Sequence, residues 1–367
     1  MTRVREAMVV AGGAGSRLRP LTAAIPKPLL PFCGAPFLEG VVLRLAAIGV
    51  ERVLLVVGAH TAPFEAFADR FDDRGVRVEI VPEPQPLDTA GGVRSALDRV
   101  TGTFLVLNGD ILTDVDLAAA VAFHHEVAAD ATLVLTRVED TSTFGVCVRD
   151  GDRITAFVEK PAPGTLPGQD AVNAGTYVLE PDALVGFPEG RLSFERTVFP
   201  GLVEDGAAVH GWVGDGVWAD LGTPERFLAG QRMALAGALR WPSLDAFARD
   251  GDGVFTDGEV LVDPAARLRG PLLLQAGVRV GQGAHVGPHV VLGPGVQVGA
   301  GVRLRDSLVM DRSVLEDGVD ADGLLAGSAV RIGRGVRIGR EVVLGDGEHV
   351  APGGTLAPGT RQPAPDA

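Results

Sequence analysis

Aliphatic-glycine pairs recur every six residues in the last third of the chain, and this period constrains the fold more than any other feature of the sequence. The first set is Val280-Gly281, Val286-Gly287, Leu292-Gly293 and Val298-Gly299, with Leu304 in phase. The second set is Ile332-Gly333, Ile338-Gly339 and Leu344-Gly345, with Val350 in phase. A fixed short period indicates a solenoid of stacked coils. The interval from Leu304 to Ile332 is not a multiple of six, so we predict an irregular coil or a loop there.

This hexapeptide period resembles that of the left-handed parallel β-helix proteins, in which each aliphatic side chain points into a triangular prism. The resemblance, rather than the spacing, implies the left hand. We predict a β-helix at 266–355, a preceding linker at 241–265 and a disordered tail at 356–367. The flat faces of stacked coils predict a homo-oligomer, a dimer or tetramer, formed through the β-helix.

Two histidines of the repeat region allow a different interpretation. Hexapeptide acyltransferases use a histidine as general base, and His285 and His289 lie in this region. No second motif supports acetyl transfer, so we favour polar side chains on the outer face of the prism.

The first 240 residues alternate between strand and helix patterns. A short apolar strand at 7–11 is followed by helical and strand patterns in turn up to about residue 137, which predicts a Rossmann-like, doubly wound α/β sheet. Ligands of such sheets bind at the carboxyl ends of the strands. From 143 to 213 the pattern becomes β-rich, which predicts an antiparallel insertion. Thr223-Pro224 predicts the start of a final helix.

The overall charge excludes some partners. The chain has 33 basic and 47 acidic residues, a net charge of −14, which argues against a nucleic-acid partner. No uncharged apolar stretch approaches the length of a membrane span. The N-terminus lacks the layout of a signal peptide, and two cysteines do not suggest a disulfide framework. These features predict a cytoplasmic protein.

A glycine-rich loop follows the first strand directly. It is formed by Ala11, Gly12, Gly13, Ala14, Gly15, Ser16 and Arg17. Its glycines let backbone N–H groups approach an anion, and Arg17 adds a charged fork for phosphate oxygens. Leu18 occupies the place where a dinucleotide fingerprint needs a small residue. A Walker loop needs Gly-Lys, and neither Lys27 nor Lys160, the only lysines of the chain, follows a glycine.

Residues 11–31, AGGAGSRLRPLTAAIPKPLLP, are similar to the signature of the sugar-1-phosphate nucleotidyltransferases, or sugar-nucleotide pyrophosphorylases. Further motifs match that family in order: PLDTAGG from Pro86, LNGD from Leu107, FVEKP from Phe157, NAGTY from Asn173 and WADLGT from Trp218. The resemblance covers about residues 5–237 and is closest to bacterial mannose-1-phosphate guanylyltransferases. Both lysines fall inside matching motifs, which argues against two surface lysines retained by chance.

The resemblance implies a role for each motif residue. The residues implied to act in catalysis are Arg17, Lys27, Asp110, Lys160 and Asp220. Those implied to bind the nucleotide are Ala11, Gly12, Gly13, Gly15, Ser16, Arg17, Lys27, Asp88, Thr89, Gly91 and Asn108. Those implied to bind the sugar phosphate are Gly145, Glu159, Lys160, Asn173 and Gly175. Asp110 and Asp220 are implied to bind Mg²⁺, which prefers carboxylates and phosphate oxygens.

The implied reaction is an in-line, Mg²⁺-dependent attack of a sugar-1-phosphate on an NTP, without a covalent intermediate. GTP and mannose-1-phosphate are the expected substrates. Asp88 departs from the family, which commonly has glycine there, and this leaves UTP or dTTP with a glucose, heptose or valienol-type cyclitol phosphate as alternatives. A non-catalytic regulatory subunit is the remaining alternative, although the phosphate-binding and metal-binding residues are all present.

Overall fold

The computed structural model describes residues 4–138, 145–159, 162, 165 and 170–363. The chain forms two compact units. The first comprises residues 1–13 and 41–218, and the second comprises residues 14–40 and 219–367. The chain therefore leaves the first unit after Gly13, inside the glycine-rich loop. It returns to that unit at Val41, within the helix Phe37–Ala47. This division into units is interleaved along the chain, whereas the sequence pattern predicts a single boundary near residue 240.

The first unit is built on one nine-stranded sheet. In chain order its strands are β1 (Glu6–Val10), β2 (Arg52–Val57), β3 (Arg77–Pro82), β4 (Phe104–Asn108), β5 (Ala131–Arg137), β6 (Gly145–Asp150), β7 (Arg153–Glu159), β8 (Ala171–Leu179) and β9 (Val209–Val213). Their order across the sheet is β3-β2-β1-β4-β8-β5-β9-β7-β6. Strands β1 to β4 are parallel. The apolar runs of β1, β2 and β4 are almost entirely buried, as expected for a sheet covered on both faces, whereas the edge strand β3 buries only Val81.

The predicted antiparallel insertion extends this same sheet. Strand β8 lies between β4 and β5 and runs antiparallel to both. Strands β6 and β7 form an antiparallel pair at one edge. The β-rich pattern therefore identified the strands but not the strands with which they pair. The apolar β8 takes an interior place in the sheet, where its Tyr177, Val178 and Leu179 are fully buried.

The helices follow the sequence pattern closely. In chain order they are α1 (Leu21–Ala24), α2 (Phe37–Ala47), α3 (Ala62–Ala68), α4 (Asp88–Ser95), α5 (Leu117–Glu126), α6 (Asp182–Val185), α7 (Phe199–Glu204) and α8 (Pro224–Leu235). Short 3-10 helices lie at Ser16–Leu18, Lys27–Leu29, Asp69–Phe71, Leu97–Arg99 and Pro242–Ala246, and a π-helix lies at Phe194–Val198. As predicted, Thr223 caps α8: its hydroxyl accepts from the Arg226 amide at 3.3 Å. In the described residues no helix has the length and apolarity needed to cross a membrane.

The C-terminal residues form a parallel β-helix with three faces. The first face consists of Val254–Thr256, Leu272–Leu274, Val290–Leu292, Leu308–Val309, Leu325–Ala326, Val343–Leu344 and Arg361–Gln362. The short strand Ala248–Arg249 adds to this face antiparallel to Val254–Thr256. The second consists of Leu261–Val262, Arg279–Val280, Gln297–Val298, Val314–Leu315, Arg331–Ile332 and His349–Val350. The third consists of Arg267–Leu268, His285–Val286, Arg303–Arg305, Asp320–Asp322, Arg337–Ile338 and Thr355–Leu356. These strands begin within the predicted linker and continue into the predicted tail as far as Gln362.

The β-helix passes through the region between Leu304 and Ile332 without a loop. Leu272 pairs with Val290, which lies 18 residues later, whereas Val291 pairs with Leu308 and Leu308 with Leu325, each 17 residues later. Two successive coils are thus one residue short at the same corner. There the buried Ser307 hydroxyl accepts a hydrogen bond from the Leu324 amide at 3.1 Å, which links the shortened coils. The irregularity predicted between Leu304 and Ile332 is therefore two coils of 17 residues, each one residue shorter than its neighbours.

An aromatic cluster explains why residues 14–40 belong to the second unit. The indole of Trp241, only 2% exposed, stacks on Phe37 with ring centroids 5.0 Å apart. Phe32 meets Trp241 edge-on at 5.4 Å and Phe227 at 5.6 Å. A Cβ at Gly40 would lie 2.3 Å from the Trp241 ring, so only glycine leaves room for the indole. Trp241, predicted to open a linker, is part of this core.

Candidate active site

The phosphate loop leaves β1 at a point fixed by main-chain hydrogen bonds. The Ala11 amide donates to Val56 O at 2.7 Å, and the Gly109 amide donates to Val10 O at 2.8 Å. Gly12 and Gly13 are exposed, so their amides are accessible to an anion. Asp110 follows Gly109 directly and is half-buried. The first unit thus places the start of the loop and one predicted metal-binding carboxylate at the ends of the adjacent strands β1 and β4.

Glu83 is a carboxylate that the motif analysis did not identify. It follows β3, is 6% exposed, and lies so close to two glycines that a Cβ on Gly12 would be 2.9 Å from Oε2 and one on Gly92 2.2 Å from Oε1. Among the described residues, Glu83 Oε1 has no hydrogen-bond partner. Burial raises the pKa of this carboxyl, and the Gly92 backbone amide partly opposes the shift. Burial of an acid beside a glycine-rich loop is the signal that would have identified it.

Asp88, which the resemblance assigns to nucleotide binding, has arginine partners that the sequence does not indicate. Its carboxylate forms an ion pair with Arg196 and lies 3.6 Å from Arg191 Nε. Asp88 has a φ of 67°, in the left-handed region that favours glycine. The ion pairs therefore hold a strained residue at the start of α4.

Thr89 links the start of α4 to the π-helix. Its hydroxyl donates to Glu195 Oε2 at 2.8 Å and accepts from the Phe194 amide at 3.0 Å. Ser193 also donates to Glu195 Oε2, at 2.9 Å. Since π-helices are frequent at functional sites, this network marks Glu195 as a second residue that the motif analysis did not single out. Glu195 therefore positions the first turn of α4, which carries Asp88 and Thr89.

The predicted sugar-binding segment is also hydrogen-bonded internally. Asn173 donates to the Tyr177 hydroxyl at 3.0 Å and accepts from the Gly175 amide at 2.9 Å. Gly175 has a φ of 69°, and a Cβ there would lie 2.6 Å from Asn108 Nδ2. Asn108, predicted to bind the nucleotide, and Gly175, predicted to bind the sugar phosphate, are therefore in close contact. The Trp218 indole donates to Ala174 O at 3.0 Å.

The remaining predicted residues of the first unit are placed as follows. Gly91 packs against the loop before the π-helix, since a Cβ there would lie 2.3 Å from Gly190 O. Gly145 begins β6 and is half-buried. Glu159 ends β7, and its backbone alone is described. Lys160 lies outside the described residues, so its assignment remains a prediction.

In the second unit, Lys27 lies directly beneath the phosphate loop. Gly15 has a φ of 59°, and a Cβ there would lie 2.9 Å from Lys27 Cβ. The Thr22 hydroxyl donates to Gly15 O at 2.8 Å, which closes the turn. Lys27 begins a 3-10 helix and is 8% exposed. Ser16 and Arg17, one residue farther along the loop, are exposed.

The buried Lys27 and the half-buried Asp220 form an ion pair. Nζ lies 3.8 Å from Oδ1 of Asp220, while Arg226 Nη1 donates to Oδ2 at 2.9 Å. A Cβ at Gly222 would lie 2.6 Å from Arg17 Nη2 and 2.9 Å from Asp220 Oδ1, so Arg17 approaches the same carboxylate. The structure thus brings together Arg17, Lys27 and Asp220. The carboxylate suits a hard divalent cation, provided that the exposed Arg226 side chain releases Oδ2.

Both cysteines are unsuited to nucleophilic chemistry. Cys33 and Cys147 are buried, free thiols. Burial raises the pKa of the Cys33 thiol well above its ordinary value and that of Cys147 to about 12. Because the thiolate is the nucleophile, both residues act as apolar core residues.

The fold and the phosphate loop place this chain among the nucleotide-binding α/β transferases. The model of the nucleotidyl transferase family matches residues 6–236, and that of the GMPPB C-terminal domain matches residues 268–359. The chain belongs to the nucleotidyl transferase family.

Named relatives agree with this assignment, and a solved structure shares the fold. The chain is 40% identical to the mannose-1-phosphate guanylyltransferase of Mycobacterium tuberculosis over 76% of this chain and 77% of the relative. It is 36% identical to the mannose-1-phosphate guanylyltransferase catalytic subunit beta of Danio rerio, over 71% and 72% of the two chains. The crystal structure of HddC from Yersinia pseudotuberculosis with GMP-PN covers 62% of this chain and 98% of its own, with a TM-score of 0.53 and 24% identity. That likeness concerns the fold.

Proposed function

We propose that this protein transfers GMP from GTP to mannose-1-phosphate, giving GDP-mannose and pyrophosphate. The observation that carries the proposal is the 40% identity to a mannose-1-phosphate guanylyltransferase over 76% of this chain. The ion pair of Lys27 with Asp220 supports it, because lysine is rarely buried without a partner and Lys27 is only 8% exposed.

The catalytic task is to align and neutralise two anions. A mannose-1-phosphate oxygen attacks the α-phosphorus of GTP, and the bond to the β-phosphate oxygen breaks in line. Lys27 would neutralise charge at the α-phosphate, whereas Arg17 and the amides of Gly12 and Gly13 would bind the departing pyrophosphate. Asp110 and Asp220 would hold Mg²⁺, which supplies Lewis-acid stabilisation of the phosphate oxygens when bound.

The sugar phosphate is assigned to the second group of motif residues. Lys160 would neutralise its phosphate, while Glu159, Asn173, Gly145 and Gly175 would line the site for its hydroxyl groups. The hydrogen bonds that Asn173 makes to Tyr177 and Gly175 fix its orientation before the sugar binds. Glu195, which bonds to Thr89, positions this region rather than contacting the sugar.

Glu83 offers a physical reason for a preference for guanine. Guanine presents two adjacent donors, N1–H and the N2 amino group, which a carboxylate can accept together. Uracil and thymine present one donor between two carbonyl oxygens, which a carboxylate repels. Two hydrogen bonds donated by guanine would also stabilise the charged carboxylate and so oppose the effect of burial, which raises the pKa of Glu83. We assign the recognition of the base to this residue and not to Asp88, whose carboxylate is paired with arginine.

A matrix of GTP, UTP, dTTP and ATP against mannose-, glucose- and heptose-1-phosphate tests the proposal. Release of pyrophosphate with Mg²⁺ present is the readout. We expect the highest kcat/KM with GTP and mannose-1-phosphate. A higher kcat/KM for another pair would replace the proposed substrates, and no release with any pair would support the regulatory-subunit alternative.

Glu83→Gln should lower kcat/KM for GTP by roughly tenfold to a hundredfold, because hydrogen bonds to a charged group contribute about 1.5–3 kcal/mol. The kcat/KM for UTP should fall less, so the ratio between the two nucleotides is the decisive quantity. Glu65→Gln, an exposed carboxylate on α3, serves as the control. An equal loss with every nucleotide would show that Glu83 only supports the loop.

A further inference from the structure

A basic cavity lies on the third face of the β-helix. Its volume is about 430 Å³, and its lining includes Arg267, Arg269, His285, Arg303 and Arg305. These side chains come from three successive coils, since Arg267 pairs with His285 and His285 with Arg303. All five are exposed. The cavity is therefore a product of coil stacking, and every residue that lines it lies within the second unit.

Gly287 forms the floor of this cavity. The Arg269 amide donates to Val286 O and the Gly287 amide to Leu304 O, so Gly287 lies between Arg269 and Arg305 in adjacent coils. A Cβ at Gly287 would lie 2.0 Å from Arg269 O, and the residue has a φ of 102°. A glycine is therefore required here, and its missing side chain leaves the space between the flanking arginines open.

The cavity holds cations that are not neutralised. Of the five side chains, Arg305 forms an ion pair, with its Nη2 lying 3.8 Å from Oδ2 of Asp322. Within the described residues, Arg267, Arg269 and Arg303 form no ion pair. Several uncompensated guanidinium groups repel one another in one depression, and an anion bound among them relieves that repulsion. This arrangement contrasts with a chain whose net charge is −14.

The extent of the basic surface limits the size of the ligand. Neighbouring strands lie about 4.8 Å apart, so three coils span roughly 10 Å. The next coil carries acid instead, because Arg303 pairs with Asp320 and Arg305 with Asp322 in the strand register. A long polyanion would meet these carboxylates, whereas a phosphate or diphosphate group fits between them. The geometry favours a small phosphorylated ligand over a nucleic acid.

We propose that the third face of the β-helix has an anion-binding site for the phosphate or diphosphate group of a small molecule, formed by Arg267, Arg269, His285, Arg303 and Arg305. Arginine forks pair bidentately with phosphate oxygens, and two flanking columns of arginine suit two linked phosphates. The inference rests on the second unit alone and does not depend on the proposed transfer reaction.

Isothermal titration of the full chain with pyrophosphate tests this site. The wild type should show two binding events, one at the phosphate loop and one on the β-helix. Arg269→Ala/Arg303→Ala should weaken or abolish one event, with at least a tenfold rise in its Kd, and Lys27→Met should affect only the other. Inorganic phosphate, with half the contacts, should bind the β-helix site more weakly than pyrophosphate.

Arg279→Ala/Arg337→Ala is the matched control, since both arginines are exposed and, in the described part of the chain, form no ion pair. Unchanged pyrophosphate binding by the Arg269/Arg303 variant would overturn the proposal. The proposal would also be overturned if that variant changed only the binding of a single-stranded DNA 20-mer, or changed only the sedimentation of the protein. Those results would assign the face to a long polyanion or to a second copy of the chain.

Discussion

Asp220→Asn should reduce kcat by at least about a hundredfold while leaving the fold intact. Loss of one preorganised electrostatic group at a reacting centre typically costs about 10²–10³ in turnover, and Asp220 pairs with the buried Lys27. The isosteric amide keeps the shape of the side chain but removes the charge that would hold a divalent cation and orient Lys27. Asp110→Asn should give a loss of similar size.

Asp215→Asn is the matched control, because this exposed aspartate precedes Asp220 by five residues in the same segment. Pyrophosphate release should be measured over a range of Mg²⁺ concentrations, with circular dichroism to confirm folding. The two active-site variants should need more Mg²⁺ for half-maximal activity, whereas the control should match the wild type. Near wild-type rates for both variants would contradict the assignment of the metal site.

Trp241→Ala should lower the free energy of unfolding of the second unit by about 3–5 kcal/mol, the usual cost of truncating a buried tryptophan. The indole is stacked on Phe37 and contacts Phe32 edge-on, so its loss leaves a cavity in this aromatic cluster. Denaturant unfolding followed by far-ultraviolet circular dichroism measures the change. A loss below about 1 kcal/mol would show that the cluster does not stabilise the unit.

Leu261→Ala provides the comparison, since this side chain is 51% exposed on the second face of the β-helix. Its effect should stay within about 0.5 kcal/mol, as for most surface substitutions. The difference between the two variants separates the aromatic cluster from a general effect of truncating an apolar residue in this unit.

The sequence predicted the elements of the fold better than their grouping. Period-six glycines predicted the β-helix because each coil repeats the same local geometry, and Thr223-Pro224 predicted the start of α8 because capping is local. The packing of Phe37 on Trp241 joins residues 204 positions apart, so no local pattern could indicate it. The two 17-residue coils were hidden because a deletion removes the period that reveals the repeat.

The candidate site shows the same division between local and distant information. Motif resemblance identified Lys27 and Asp220, and the structure places them 3.8 Å apart. It could not assign a partner to Asp88, whose ion pair with Arg196 spans 108 residues. Nor did it identify Glu83, which is distinguished by burial and not by a recognisable motif.

The interleaved division of the chain has a consequence for its synthesis on the ribosome. Phe37 leaves the exit tunnel 204 residues before Trp241, a delay of roughly 10–40 s at about 5–20 residues per second. During that interval residues 14–40 lack the indole against which they pack, while the strands of the first unit are already being made. The second unit can therefore complete its aromatic cluster only after the first unit has been translated.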